Sequence, residues 1–333
     1  MNRRTFLSAA AAGALTAQTR DKMGIAVTCY MSFGRPKDTL EFLEHAGKLG
    51  AGGIQMQLTS REPEYIRKLR ARAEQLGMYL EAIASLPAHG DTAAFESMAA
   101  AAKEAGALAI RVNCLPGRRY ENFTNVADWD KAVSQSRANI DAALRIVEKY
   151  QVPLAIENHK DWTAAETAAF MKAKASRWLG VCLDTGNNIA LLDNPMDTVE
   201  LLAPYAVSTH IKDMGVAPYT DGFLLAEMPL GEGMLDMRRI VETVRRARPE
   251  TRLTLEMITR DPLKVPCLTD AYWATFPSRN GLYLARTLRM ARDRQPKDGA
   301  LPMVTGLARE TQLQLEEDNV KKSLRYAGEY LSL

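Results

Sequence analysis

The 333-residue sequence predicts an α/β protein of the (β/α)8 TIM-barrel class, a single domain with a C-terminal helical extension. Three observations carry this reading. From Gly24 onward, short β-like runs alternate with amphipathic helical segments, the sequence form of a parallel sheet. The alternation gives eight strand-helix units with no linker between them. Four late runs each close on one residue able to bind a metal: Leu154-Ala155-Ile156-Glu157, Val181-Cys182-Leu183-Asp184, Val207-Ser208-Thr209-His210 and Leu253-Thr254-Leu255-Glu256.

The elements follow in order. The first strand is expected at 25–30, with a helix at 37–49. The second strand covers 53–58, and its helix runs from Pro63, a helix-starting proline, to Leu76. A third strand at 78–84 leads through Pro87 to His89, before a helix at 92–105 that Gly106 stops. The fourth strand, 108–113, precedes a polar turn-rich loop through Arg118, Arg119 and Tyr120, then a long helix at 128–150. Strand five carries Glu157 and a helix at 164–175 follows; strand six carries Asp184, with a short helix at 197–202. Strand seven carries His210. The long connection 213–233 is punctuated by glycine and proline and reads as a lid or binding loop. A helix at 235–247 leads to strand eight and Glu256. The barrel is placed at 24–293 and the polar helical extension at 294–333, wrapping the barrel or serving an interface.

Composition is that of a globular chain, 47% hydrophobic and 25% charged, long enough to bury a large core. A net charge of +3 gives no case for nucleic acid or an anionic membrane surface. No apolar run reaches the roughly 18 residues of a membrane span. Residues 1–20 pair Arg3-Arg4 with the short apolar segment 9–15, as in a twin-arginine export signal, with a mature start near 18–22. The expected location is therefore periplasmic or otherwise exported, with no membrane attachment after signal removal. Cys29, Cys114, Cys182 and Cys267 form no metal-finger pattern; pairing is open to them in an oxidising compartment, though Cys29 and Cys182 read as buried thiols.

At the C-terminal rim of a barrel, Glu157, Asp184, His210 and Glu256 converge from consecutive strands five to eight. Three carboxylates and one imidazole favour one divalent ion, Mn²⁺, Mg²⁺ or Co²⁺, and admit Zn²⁺. Without a cation, the carboxylates would repel and raise one another's pKa values.

Ile156-Glu157-Asn158-His159, Leu183-Asp184-Thr185-Gly186-Asn187, Thr209-His210-Ile211-Lys212-Asp213 and Leu255-Glu256 resemble the xylose isomerase-like TIM-barrel superfamily. Within it the chain is most similar to the sugar phosphate isomerase/epimerase group that includes ketose 3-epimerases and inosose dehydratases. The resemblance implies a metal held by those four positions, with Glu157 and Glu256 moving protons on opposite faces of the substrate. Its ketose 3-epimerases carry an imidazole shortly after the metal-binding Asp; here that place holds Asn187, a changed substrate contact. With export expected, a free sugar, oxidised sugar or glycoside suits the chain better than a sugar phosphate.

Around that centre, His89, Asn113, His159, Asn187, Lys212 and Trp273 are the candidate substrate contacts. Lys212 follows His210 by two and points the same way, toward a substrate oxygen, Glu157 or Glu256. Arg111 shares the face of Asn113 and lies below it. Trp162 and Trp273 offer flat faces to a pyranose or serve as packing. Arg118, Arg119 and Tyr120 read as a ligand clamp or a solvated loop. The expected activity is a metal-dependent carbohydrate isomerase or epimerase, by proton abstraction next to a carbonyl. The alternative is a lyase or dehydratase of a keto-sugar or 3-keto-glycoside at the same site. A second alternative is a non-catalytic periplasmic sugar-binding protein, which would not exchange substrate protons with solvent. The partner is a small-molecule carbohydrate, and the sequence leaves homo-oligomer formation open.

Overall fold

Strands buried on both faces read as continuous apolar runs, and the barrel strands of this chain are short runs of that kind. The computed structural model describes residues 22–88, 90–296 and 300–333; the export-signal and His89 expectations lie outside them. In chain order the strands are β1 (Gly24–Ala26), β2 (Gly53–Met56), β3 (Tyr79–Ile83), β4 (Ile110–Asn113), β5 (Leu154–Glu157), β6 (Leu179–Asp184), β7 (Ala206–His210), β8 (Asp213–Tyr219), β9 (Gly222–Met228), β10 (Thr254–Leu255) and β11 (Leu263–Val265). Every residue of β2, β5 and β6 is buried.

Eight strands pair in parallel in the order β10-β1-β2-β3-β4-β5-β6-β7. Ile211 closes the circle: its N–H donates to Thr254 O at 2.8 Å, and its carbonyl accepts from Glu256 N at 3.0 Å. Helices cover the outside. Pro63–Leu76 begins on its proline and stops at Gly77, whose φ of 64° is the left-handed cap that glycine adopts freely. Ala164–Lys174 starts with a capping box between Thr163 and Glu166. Phe42, Leu43, Ile66 and Leu69 on the first two helices bury wholly against Ile54 and Ile25 of the strands.

Four expectations need correction. The first strand ends at Ala26, and Val27–Tyr30 coil into a 3-10 turn. Its neighbours run out there: β10 pairs only through Leu255, and β2 pairs Gln55 with Ala26. The 213–233 connection is a hairpin, not a lid, with β8 paired to β9 from Asp213↔Met228 to Tyr219↔Gly222. β11 adds antiparallel to β9, and Val216, Phe223, Leu225 and Val265 bury beneath the three strands. Pro218 is tolerated because β8 is an edge strand of this sheet. The polar loop before the long helix, Val126–Tyr150, contains a helical turn, Arg119–Asn122. Arg119 is neither clamp nor solvated: its guanidinium stacks 3.8 Å from the Trp129 ring centroid and 4.1 Å from that of Phe276, and pairs with Glu166. All four cysteines are buried free thiols.

The extension carries a helix, Arg309–Tyr330, that straps the rim. The Glu316 carboxylate accepts from Ser32, Phe33 and Gly34 N–H at 3.1, 3.1 and 2.6 Å. Glu317 accepts from Tyr30 Oη at 2.9 Å, Asn319 Nδ2 donates to Thr259 Oγ1 at 2.9 Å, and Leu230 N–H donates to Ser323 Oγ at 3.2 Å. Glu316→Ala orphans three part-buried donors at once. It is expected to cost about 1–3 kcal/mol in urea unfolding, whereas a surface glutamate of the same helix should cost little.

Candidate metal centre

Strand register sets the site. β5 ends on Glu157 beside Asn113 of β4, β6 ends on Asp184 beside His210 of β7, and Glu256 follows β10 at the closure. One ligand atom from each of Glu157, Asp184, His210 and Glu256 lies within 4.8 Å of all the others, and all four residues are buried.

The imidazole of His210 is the most informative group. Gln55 donates through Nε2 to Glu81 Oε2 at 2.9 Å and Ser208 Oγ at 3.2 Å, so its Oε1 is left to accept. His210 Nε2 stands 2.7 Å from that oxygen and therefore carries the ring hydrogen. In the neutral ring, Nδ1 then bears a lone pair. It is buried without a hydrogen bond, 3.3 Å from Glu256 Oε1, 3.4 Å from Glu157 Oε1 and 3.8 Å from Asp184 Oδ2. A lone pair facing three carboxylate oxygens is repulsive unless a proton or a metal ion lies between them. Burial lowers the His210 pKa, but neighbouring Cys182 and Glu256 push it up, to about 10: a proton is strongly held where a metal would sit.

The carboxylates are fixed by other groups. Asp184 Oδ1 accepts from the N–H groups of Gly186 and Asn187 at 2.8 and 2.7 Å, leaving Oδ2 without a well-formed hydrogen bond. Lys212 Nζ lies 2.9 Å from that Oδ2 and 2.5 Å from Glu256 Oε2, so it neutralises Asp184 and Glu256 rather than Glu157. Glu157 is paired with Arg111 through Oε2 and accepts from Asn187 Nδ2 at 2.9 Å through Oε1. Burial raises the Glu256 carboxyl, but His210 and Lys212 override it and hold the group well below the usual carboxylate range. The donor set fits a divalent ion of the borderline-hard class: three carboxylates and one imidazole nitrogen whose lone pair is free once its proton leaves.

The remaining candidates divide. Asn187 reaches the centre, but its amide is engaged by Glu157, Lys160 and Lys212. His159 sits nearby with Nδ1 buried and unbonded; burial and then Lys160 hold its pKa well below the ordinary value, so the ring is neutral. Asn113 Oδ1 is likewise buried without a partner. Trp273 gives its indole N–H to Cys267 O at 2.9 Å and packs edge-on against Tyr272, in the apolar cluster that underlies the hairpin. Trp162, 2% exposed, packs on Phe170.

Sequence reasoning passed over Gln55, Glu81, Lys160, Glu227 and Arg260. Gln55 had a signal: it is a polar residue inside the apolar run Gly53-Ile54-Gln55-Met56 of a fully buried strand. Glu227 comes from β9 and reaches within 4.0 Å of Lys212 Nζ, held by a two-point pair with Arg260. Gln55→Leu is expected to weaken divalent-metal affinity about 10–100-fold by freeing the His210 ring, read by calorimetric Mn²⁺ titration.

Residues 43–275 match the sequence profile described as Xylose isomerase-like TIM barrel. A relative from Pectobacterium atrosepticum, 3-oxo-isoapionate decarboxylase, is 28% identical over 236 residues, covering 67% of this chain and 81% of that protein. Among solved structures, D-psicose 3-epimerase in the presence of D-fructose superposes with a TM-score of 0.60 at 17% identity, over 94% of this chain and all of that one. The IOLI protein with a bound zinc atom gives 0.56 at 14% identity, over 92% and 99%. At these identities the two structures show a common fold.

Proposed function

The chain belongs to the xylose isomerase-like TIM-barrel family, and from that premise we propose that it is a divalent-metal-dependent carbohydrate isomerase or epimerase working through an enediolate. The observation that carries this reading is the buried, unbonded Nδ1 of His210, turned toward the oxygens of Glu157, Asp184 and Glu256.

Glu157, Asp184, His210 and Glu256 would hold the ion, with Gln55 fixing the imidazole tautomer. Such an ion polarises a carbonyl and its neighbouring hydroxyl, acidifying the intervening C–H. Glu157 ends β5 and Glu256 follows β10, with β6 and β7 between them, and these two carboxylates supply the bases. One carboxylate oxygen takes the C–H proton and the other returns one to the opposite face, which inverts the carbon. Lys212, 2.5 Å from Glu256 Oε2, keeps that carboxylate ionised and so able to accept a proton at neutral pH. Arg111 pairs with Glu157 through Oε2.

A lyase is the second reading. The Pectobacterium relative is named a decarboxylase, and loss of CO₂ next to a carbonyl leaves the same kind of enolate that proton abstraction leaves. Expulsion of a β-hydroxyl or aglycone from that enolate would make the chain a dehydratase or a lyase of 3-keto-glycosides.

The deciding experiment follows Mn²⁺-loaded protein with keto-sugars, sugar acids and 3-keto-glycosides in D₂O by NMR. Deuterium at the carbon beside the carbonyl, with a new stereoisomer, supports epimerisation. Release of CO₂ or an aglycone establishes the lyase instead. Ligand binding with no exchange and no product would leave a binding protein and end the enzymatic reading. Periplasmic export by residues 1–20 belongs to the same proposal, and fractionation of cells expressing the full chain tests it.

A further inference from the structure

The buried cations around the centre are not matched one to one. Arg111 pairs with Glu157, Lys212 with Asp184 and Glu256, and Arg260 with Glu227 at 2.5 Å. Lys160 is the exception. Its residue is 3% exposed, and its ammonium donates to Asn187 Oδ1. Among the described residues, no carboxylate oxygen comes within ion-pair distance of it. Asn187 in turn donates to Glu157 Oε1 at 2.9 Å, so a single amide separates this ammonium from a candidate metal ligand.

A buried ammonium without a counter-ion is unfavourable, and a bound anion removes the penalty. The wider count agrees. Five buried carboxylates (Glu81, Glu157, Asp184, Glu227, Glu256) face four cations (Arg111, Lys160, Lys212, Arg260), so a divalent ion leaves the centre about one charge positive. A neutral sugar brings no charge to offset this. A sugar acid brings one through its carboxylate.

We propose that the substrate of this site is a keto-sugar acid, and that Lys160 Nζ binds its carboxylate. The inference rests on the metal-dependent sugar reading above and adds the substrate class to it. Lys160 is thereby a substrate contact and not part of the proton-transfer pair. Burial and then neighbouring Lys212 bring the Lys160 pKa down to about 7, as expected of an ammonium still lacking its anion.

Matched probes test this. 2-Keto-D-gluconate differs from D-fructose in carrying a carboxylate where the latter has a hydroxymethyl group, and D-glucuronate differs from D-glucose at the other end. Calorimetric titration of Mn²⁺-loaded protein should show at least one acid binding about tenfold or more tighter than its neutral twin. Lys160→Met should lower affinity for that acid by about tenfold or more and leave the neutral twin within about twofold. The metal-free variant should unfold at the same temperature as wild type or higher, because an uncompensated charge has been removed. Equal affinities for acids and neutrals, an equal loss of both in the variant, or a variant that unfolds several degrees lower would each overturn the proposal. If any of these occurs while wild type still takes up metal and exchanges substrate protons, only the sugar-acid inference fails; absence of metal uptake defeats the reading beneath it.

Discussion

Glu256→Gln and Glu157→Gln are each expected to lower solvent-deuterium exchange into substrate by about 10²–10⁴-fold, the contribution of a positioned general base. The substitutions preserve shape and remove basicity. In Glu256→Gln, Lys212 Nζ loses the charged partner at 2.5 Å, but keeps Asp184 Oδ2 at 2.9 Å, so the variant retains a local counter-ion. In Glu157→Gln, the amide faces Arg111 and Asn187, both hydrogen-bond donors, and only its carbonyl oxygen can satisfy them. The first variant should therefore fold nearly as well as wild type and the second somewhat less well. NMR loss of the exchanging proton signal gives the rates, and metal content measured on the same samples separates lost basicity from lost metal. Exchange near the wild-type rate in either variant would contradict the assignment.

Removal of the metal is expected to have the second largest effect, and its sign depends on pH. His210 in the metal-free protein has a folded pKa of about 10 against an ordinary 6.5. A raised folded pKa contributes stability that is full below about pH 6.5 and is lost as pH climbs through about 10. Metal binding requires the same nitrogen without its proton, so metal affinity should rise by about tenfold per pH unit over that window. The two trends oppose each other, and the melting-temperature gap between Mn²⁺-loaded and metal-free protein should widen as pH increases. At a hundredfold excess over Kd the ion adds about 2.7 kcal/mol, roughly 5 °C for a chain of this size. His210→Ala should erase both the gap and its pH dependence. A gap that stays constant from pH 6 to 9 would show that the imidazole nitrogen takes no part.

The four-ligand centre was legible because of a simple physical contrast. An apolar strand that ends on an acid or an imidazole places that group at the rim, and parallel strands bring successive ends together. Asp184 and His210 are register partners, which is the relation that their strand-end positions imply. The hairpin was not legible. Gly215, Pro218 and Gly222 punctuate it like a loop, and its burial depends on β11, which arrives about 40 residues later in the chain. Tertiary pairing decided its structure, not local propensity. Arg119 and Lys160 were misjudged or passed over for a related reason. Long cationic side chains are usually solvated, and sequence does not reveal that Trp129 and Phe276 enclose one, or that the other is buried next to Asn187. Trp162 illustrates the reverse: an aromatic ring beside the ligand strand suggested sugar stacking, yet it is fully enclosed by core residues.

The strap formed by Glu316, Glu317, Asn319 and Ser323 has a bearing on biosynthesis. These residues are translated after every barrel strand, yet they hold the segments following β1, β9 and β10. A nascent chain can thus complete its ring of strands on the ribosome while the mouth stays loose, and the enclosure tightens only when this late segment docks. Binding competence should consequently lag behind barrel formation during synthesis.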